Sequence, residues 1–96
     1  MNGMGTFILY LGGNPLKDEI RKLIGVHARL PIDASGLADS EDLYQAGMTS
    51  HASVMLMLGL ENEFGVEFPD SMLSRDVFAS VNAIAGAIGT LQQEVA

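Results

Sequence analysis

Ser50 is the residue best placed to do chemistry. It stands where the loop Gly47-Met48-Thr49 gives way to the apolar run Val54-Met55-Leu56-Met57-Leu58. A hydroxyl at such a junction lies beside the free N–H groups of a helix start, where the helix dipole favours an anion. Two other hydroxyls compete with it. Thr49 is β-branched and one residue early, and Ser53 is expected inside the helix on its core side. The bland reading of Ser50 is an ordinary helix cap, because serine is common at helix starts. His51 follows directly, so a Ser-His-Asp triad can be written on paper from Ser50, His51 and an aspartate. Adjacent helical residues point about 100° apart, which is poor geometry for proton transfer from serine to histidine. His27 and His51 are the two histidines of the chain and show no metal-ligand spacing. Asp39, Glu41 and Asp42 form an acidic cluster without the spacing of a calcium loop, so a solvated loop face is expected there and no metal site.

The elements that must position Ser50 read as helices. Asn14 can cap a first helix, and Pro15 suits its first position. Leu16, Ile20, Leu23, Ile24 and His27 recur at helical spacing, with His27 as a packed residue at the helix end. Pro31 stops this helix by residue 30. Residues 31–49 form a long connection rich in turn formers, anchored by Leu37, Leu43 and Tyr44. A second helix is predicted from Ser50 to Phe64, closed by Gly65. Leu56, Met57, Leu60 and Phe64 share its core face. Val54, Met55 and Leu58 share a second apolar face, which is either a docking patch or a surface covered by the long loop. A short third helix is predicted over residues 71–77 with Asp70 as its cap. A last helix starts near Ser80 and turns Val81, Ile84, Ala85, Ile88 and Leu91 inward. Gly86 and Gly89 each cost that helix roughly 1 kcal/mol relative to alanine, in return for close packing or at the expense of a fraying end. The expected fold is all-α: a four-helix bundle with a long loop after the first helix.

A chain of 96 residues supports one domain and one modest core. Five Lys and Arg against twelve Asp and Glu give a formal charge of −7. That balance argues against nucleic acid and anionic membrane partners and favours basic protein surfaces. Without cysteine there is neither a disulfide framework nor a thiolate metal site. The apolar run Phe7–Leu11 is too short to cross a bilayer and has no basic region before it, so a cytoplasmic protein is expected. Residues 1–13 read as an N-terminal extension to a domain of residues 14–96. That extension is either a ragged, disordered tail with Met4 as another start, or an extra strand or turn that docks on a partner.

Residues 16–91 resemble the acyl carrier proteins and the related peptidyl carrier domains. The likeness rests on Gly47-x-x-Ser50, the apolar helix, and Leu60-Glu61-Asn62-Glu63-Phe64-Gly65-Val66-Glu67-Phe68-Pro69-Asp70, which is similar to the family pattern L-E-x-E-F-G-x-x-I-P-D. The resemblance implies 4′-phosphopantetheine joined to Ser50 as a phosphodiester, with an acyl or aminoacyl thioester on the thiol of the arm. It implies a carrier that catalyses nothing itself and is a monomer when free. It implies a phosphopantetheinyl transferase and acyl-transfer enzymes as partners. Thr49 and His51 would then lie near the phosphate, and His51, Val54, Met55, Leu58 and Glu61 would meet the partner.

Two departures from the family bear on which carrier this is. The family usually has Asp-Ser-Leu at the attachment site, where this chain has Thr49-Ser50-His51; a common transferase contact is therefore missing. His51 has two readings, a contact to phosphate or partner and a plain exposed first-turn residue. The family's recognition helix shows carboxylates early, where this chain has Ala52 and Met55; charge returns only at Glu61, Glu63 and Glu67. Steering by charge should be weaker there and apolar contact stronger. The segment Gly47-Met48-Thr49-Ser50-His51-Ala52-Ser53-Val54 resembles a group of small stand-alone bacterial carriers with Gly-[Leu/Met]-[Ser/Thr]-Ser-x-Ala-Ser-Val. Some of these are charged by amino acid:carrier protein ligases, relatives of class II seryl-tRNA synthetases that activate a small amino acid such as glycine or alanine with ATP. The favoured expectation is such an aminoacyl carrier. The alternatives are an acyl carrier of a specialised fatty-acid or polyketide pathway and an unmodified helical adaptor in which Ser50 is dispensable.

Overall fold

The computed structural model describes residues 14–95. The extension expected over residues 1–13 lies outside the described residues. Among the described residues three α-helices run in the order α1 (Pro15–His27), α2 (Ser50–Phe64) and α3 (Val81–Val95). Short 3-10 turns occupy Ala34–Gly36 in the α1–α2 loop, and Asp70–Met72 and Arg75–Phe78 between α2 and α3. Among the described residues the fold is all-helical, without strands, and no helix is long and apolar enough to cross a membrane.

Each helix start has the side-chain acceptor its first turn needs. Asn14 Oδ1 accepts the Lys17 N–H at 3.1 Å, with Pro15 at the first helical position. Ser80 Oγ accepts the Ala83 N–H at 3.1 Å. Gly65 closes α2 with φ of 65°, a left-handed conformation that a glycine adopts without steric cost. The three helices bury one core. Ile20 and Ile24 of α1, Leu56 and Leu60 of α2, and Ile84 and Ile88 of α3 are fully buried, as is Leu43 of the loop. Burial of each such side chain contributes about 1.5–3 kcal/mol. Met57 and Phe64, expected with the core of α2, are half-buried and pack against it. Gly86 and Gly89 are not close-packing glycines, since a Cβ at either would meet nothing within 4 Å among the described residues.

The expected third α-helix is corrected to two 3-10 turns. Leu73, at ψ of 67°, breaks the segment between them, and neither turn has a side-chain cap. Asp70 is not the cap; Pro69 takes that position and Asp70 opens the turn. A segment this short cannot offset the cost of nucleating an α-helix by propensity alone. The two tight turns instead lower Phe78 into the core, 5.1 Å from the ring of Phe68.

The long loop is packed down. Leu37 and Leu43 are buried and Tyr44 is half-buried, as expected of anchors. The Leu43 N–H donates to the Ala79 carbonyl at 2.7 Å, and the Asp39 carbonyl accepts the Asn82 N–H at 3.0 Å, tying the loop to the start of α3. The acidic cluster is more than the solvated face expected of it. The Asp39 carboxylate bridges Lys17, at 3.0 Å, and Arg21 on α1. Asp42 Oδ1 accepts the N–H groups of Tyr44 and Gln45, and Glu41 Oε1 accepts that of Ala38.

Candidate functional site

Three successive residues, Gly47, Met48 and Thr49, deliver Ser50 to the surface, each by a different physical demand. Gly47 has φ of 120°, and a Cβ there would lie 3.0 Å from Pro31 Cδ, so both backbone and space call for glycine. Met48 is buried and its N–H donates to the Leu43 carbonyl at 3.0 Å, which plugs the loop end into the core. Thr49 is the cap of α2: its Oγ1 accepts the Ala52 N–H at 3.0 Å, and its carbonyl accepts the Ser53 N–H at 2.9 Å. Ser50 is the first helical residue and is exposed. The cap reading of Ser50 is therefore overturned, because the threonine before it does that work. The N–H groups of Ser50 and His51 lie in the first turn, where the helix geometry supplies no intrahelical acceptor. An exposed hydroxyl beside free donors and the positive end of a 15-residue helix suits an anionic ester.

Ser53 is not on the core side. It is half-exposed, its Oγ donates to the Ser50 carbonyl at 2.7 Å, and its hydroxyl is thereby occupied. His51 is exposed, and Val54, Met55 and Leu58 are 49, 38 and 48% exposed. The loop does not cover this second apolar face of α2, whereas Ala52, Leu56 and Leu60 point into the core. Glu61 has an internal partner: its Oε2 accepts the Phe68 N–H at 2.9 Å and holds the chain that leaves α2.

Two hollows of about 440 Å³ each flank the helix start. One is shared by Ser50, Ser53, Met57, Leu73, Arg75 and Phe78. Its Arg75 guanidinium lies 3.9 Å from the centroid of the Tyr44 ring, which also lines the hollow. The other lies on the far side of the helix start, where His27, Arg29, Thr49, His51 and Met55 meet. His27 packs at the end of α1 as expected, with its ring so close to Gly59 that a Cβ there would be 2.5 Å from Cδ2 and Nε2. Sequence reasoning misses Tyr44, Arg29 and Arg75 as neighbours of the site. Tyr44 and Arg75 carry no local pattern. Arg29 has one usable signal, a cation just past the end of a helix and two residues before a proline.

The domain thus offers an exposed serine at the start of α2, and among the described residues no cluster of side chains could hold a metal ion. Residues 16–88 match the family model described as the phosphopantetheine attachment site, and the chain belongs to that family of carrier domains. It is 46% identical over 69 residues to an aminoacyl carrier protein of Agrobacterium fabrum, covering 72% of this chain and 83% of the relative. Its fold is similar to the Agrobacterium tumefaciens carrier protein in a crystal structure with ATP and an engineered Bradyrhizobium japonicum glycine:[carrier protein] ligase. There the TM-score is 0.76 at 43% identity, over 78% of this chain and 97% of the other. A solution structure of a protein from Agrobacterium tumefaciens is similar with a TM-score of 0.66 at 41% identity, over 83% of this chain and 99% of the other. The residues present fit a phosphopantetheine arm: Ser50 is accessible, the N–H groups of Ser50 and His51 have no intrahelical acceptor, and the hollow that Ser50 lines holds an arginine.

Proposed function

We propose that this chain is an aminoacyl carrier protein in which Ser50 Oγ bears 4′-phosphopantetheine. A phosphopantetheinyl transferase attaches the arm from coenzyme A, and the thiol of the arm then holds a small amino acid such as glycine or alanine as a thioester. The observation that carries this reading is the division of labour at the helix start: Thr49 caps, which leaves the Ser50 hydroxyl exposed and unburdened. Thr49 and His51 flank the phosphodiester, and the first-turn N–H groups with the helix dipole stabilise its charge. The arm supplies the thiol chemistry that a chain without cysteine lacks.

The charging partner is an amino acid:carrier protein ligase of the class II seryl-tRNA synthetase type. The support is the relative of 43% identity seen with a glycine:[carrier protein] ligase. His51, Val54, Met55 and Leu58 form the docking face, with Glu61 at its far end by its free carboxylate oxygen. The carrier works as a monomer in the cytoplasm, where coenzyme A and ATP are available, and catalyses no step itself. A domain of residues 14–96 with the 1–13 extension outside it completes the reading.

The test is loading. Holo protein incubated with glycine, ATP and the Bradyrhizobium japonicum ligase should gain one glycyl group by intact mass, and hydroxylamine should remove it. A holo protein that accepts no amino acid from this ligase or from alanine-specific ones, yet accepts acyl groups from acyl-transfer enzymes, would make it an acyl carrier instead.

A further inference from the structure

We infer that the hollow formed by His27, Arg29, Thr49, His51 and Met55 receives a carboxylate of the ligase that charges this carrier. The inference rests on the aminoacyl-carrier reading and adds the charge of the partner's docking surface. In a chain of net charge −7, this hollow is lined by an arginine and both histidines, with no aspartate or glutamate among its lining residues. Of the cations of α1, Lys17 and Arg21 pair with Asp39, Arg21 also with Asp18, and Lys22 is exposed beside a different hollow. Arg75 lies over Tyr44 on the other side of Ser50. Arg29 forms no ion pair among the described residues and is exposed.

The backbone is a second, independent sign. Arg29 sits just past the end of α1 with φ of 54°. That left-handed position after a helix is where glycine is the usual residue, because a side chain there costs free energy. An arginine held in it gives up backbone comfort for a charged side chain beside the site. Ser50 itself lines the opposite hollow, with Arg75, and is not among the residues that line this one. Next to Arg29 and His51 lies the exposed apolar face of Met55, Val54 and Leu58. The complementary partner surface is thus an apolar patch edged by a carboxylate, the reverse of the basic surface that the net charge of the chain would suggest.

The test compares holo wild type with Arg29→Glu, Arg29→Gly and Lys22→Glu. Lys22 is exposed on α1, away from the hollow, and its reversal changes the net charge as much as Arg29→Glu does. The readout is kcat/KM for glycine loading by the Bradyrhizobium japonicum ligase at low and high salt. Arg29→Glu should lower kcat/KM roughly tenfold through KM, with the deficit shrinking at high salt, while Lys22→Glu should change it less than about twofold. Arg29→Gly should load more slowly than wild type while melting at the same temperature or higher, a pairing that a purely structural arginine would not produce. Equal effects of Arg29→Glu and Lys22→Glu would overturn the inference, since net charge alone would explain them. So would a defect in arm attachment by the transferase in place of one in loading. If wild type itself is not loaded, the aminoacyl-carrier reading falls and takes this inference with it; a loaded wild type indifferent to Arg29 removes the inference alone.

Discussion

At the scale of single residues, the site is a sequence of unlike demands met by neighbours. Glycine supplies a backbone angle, methionine a plug, threonine a cap and serine a free hydroxyl. The position of the helix start is legible in the sequence, because Gly47, the hydroxyl pair and the apolar run all point to one junction. The roles within the pair are not, because either hydroxyl can cap and only the chain path decides which one does. Ser53 is misplaced by the sequence for a similar reason: a hydroxyl that bonds back to the Ser50 carbonyl satisfies itself without burial. Gly59 and His27 illustrate a pairing that no local pattern announces, since the glycine and the ring that fills its missing side chain stand on different helices. Alanine at 59 gains up to about 1 kcal/mol of helix propensity but drives a Cβ into that ring. Gly59→Ala should therefore fail to stabilise the wild type and stabilise a His27→Ala background by about 1 kcal/mol. Urea unfolding of the four proteins measures the coupling, and strict additivity would show that the ring is free to move.

At the scale of elements, α1, α2 and α3 are legible because each combines a cap signal with apolar residues at helical spacing. The segment between α2 and α3 is not, because a run this short holds its shape by what it packs on. Phe78 against Phe68, within the same connection, and Arg75 on Tyr44 of the distant loop are packing contacts that select two tight turns over one helix. The loop shows the same limit. Its apolar anchors are readable, but the ion pairs of Asp39 with Lys17 and Arg21 join residues about twenty positions apart. Those partners set a pH dependence. Hydrogen bonds from Lys17, then Arg21, hold the Asp39 carboxyl below its ordinary value. A carboxyl whose folded pKa is depressed contributes stability above its unfolded pKa of about 3.9, and loses that contribution as pH falls through the lower folded value. Asp39→Asn should lower the urea midpoint at pH 7 and flatten the fall in stability below about pH 4. Parallel stability curves for the two proteins would place these ion pairs among the surface pairs of negligible worth.

At the scale of the whole molecule, an acidic domain presents the exposed Ser50 beside an apolar face of α2, with Arg29 and Arg75 on either side of the helix start. Composition alone points to basic partners; the arrangement of the charges points to a partner met by apolar contact and local complementarity. The core shared by the three helices fixes where this face sits. The central claim is that the group is carried on Ser50. Intact-mass measurement after incubation with coenzyme A, magnesium and a broad-range phosphopantetheinyl transferase tests it most directly, with Ser50→Ala and Ser53→Ala alongside. A gain of one phosphopantetheinyl group in wild type and Ser53→Ala, and none in a folded Ser50→Ala, is the predicted result. A gain that survives Ser50→Ala and disappears in Ser53→Ala, or no gain in folded wild type with several transferases, would contradict it.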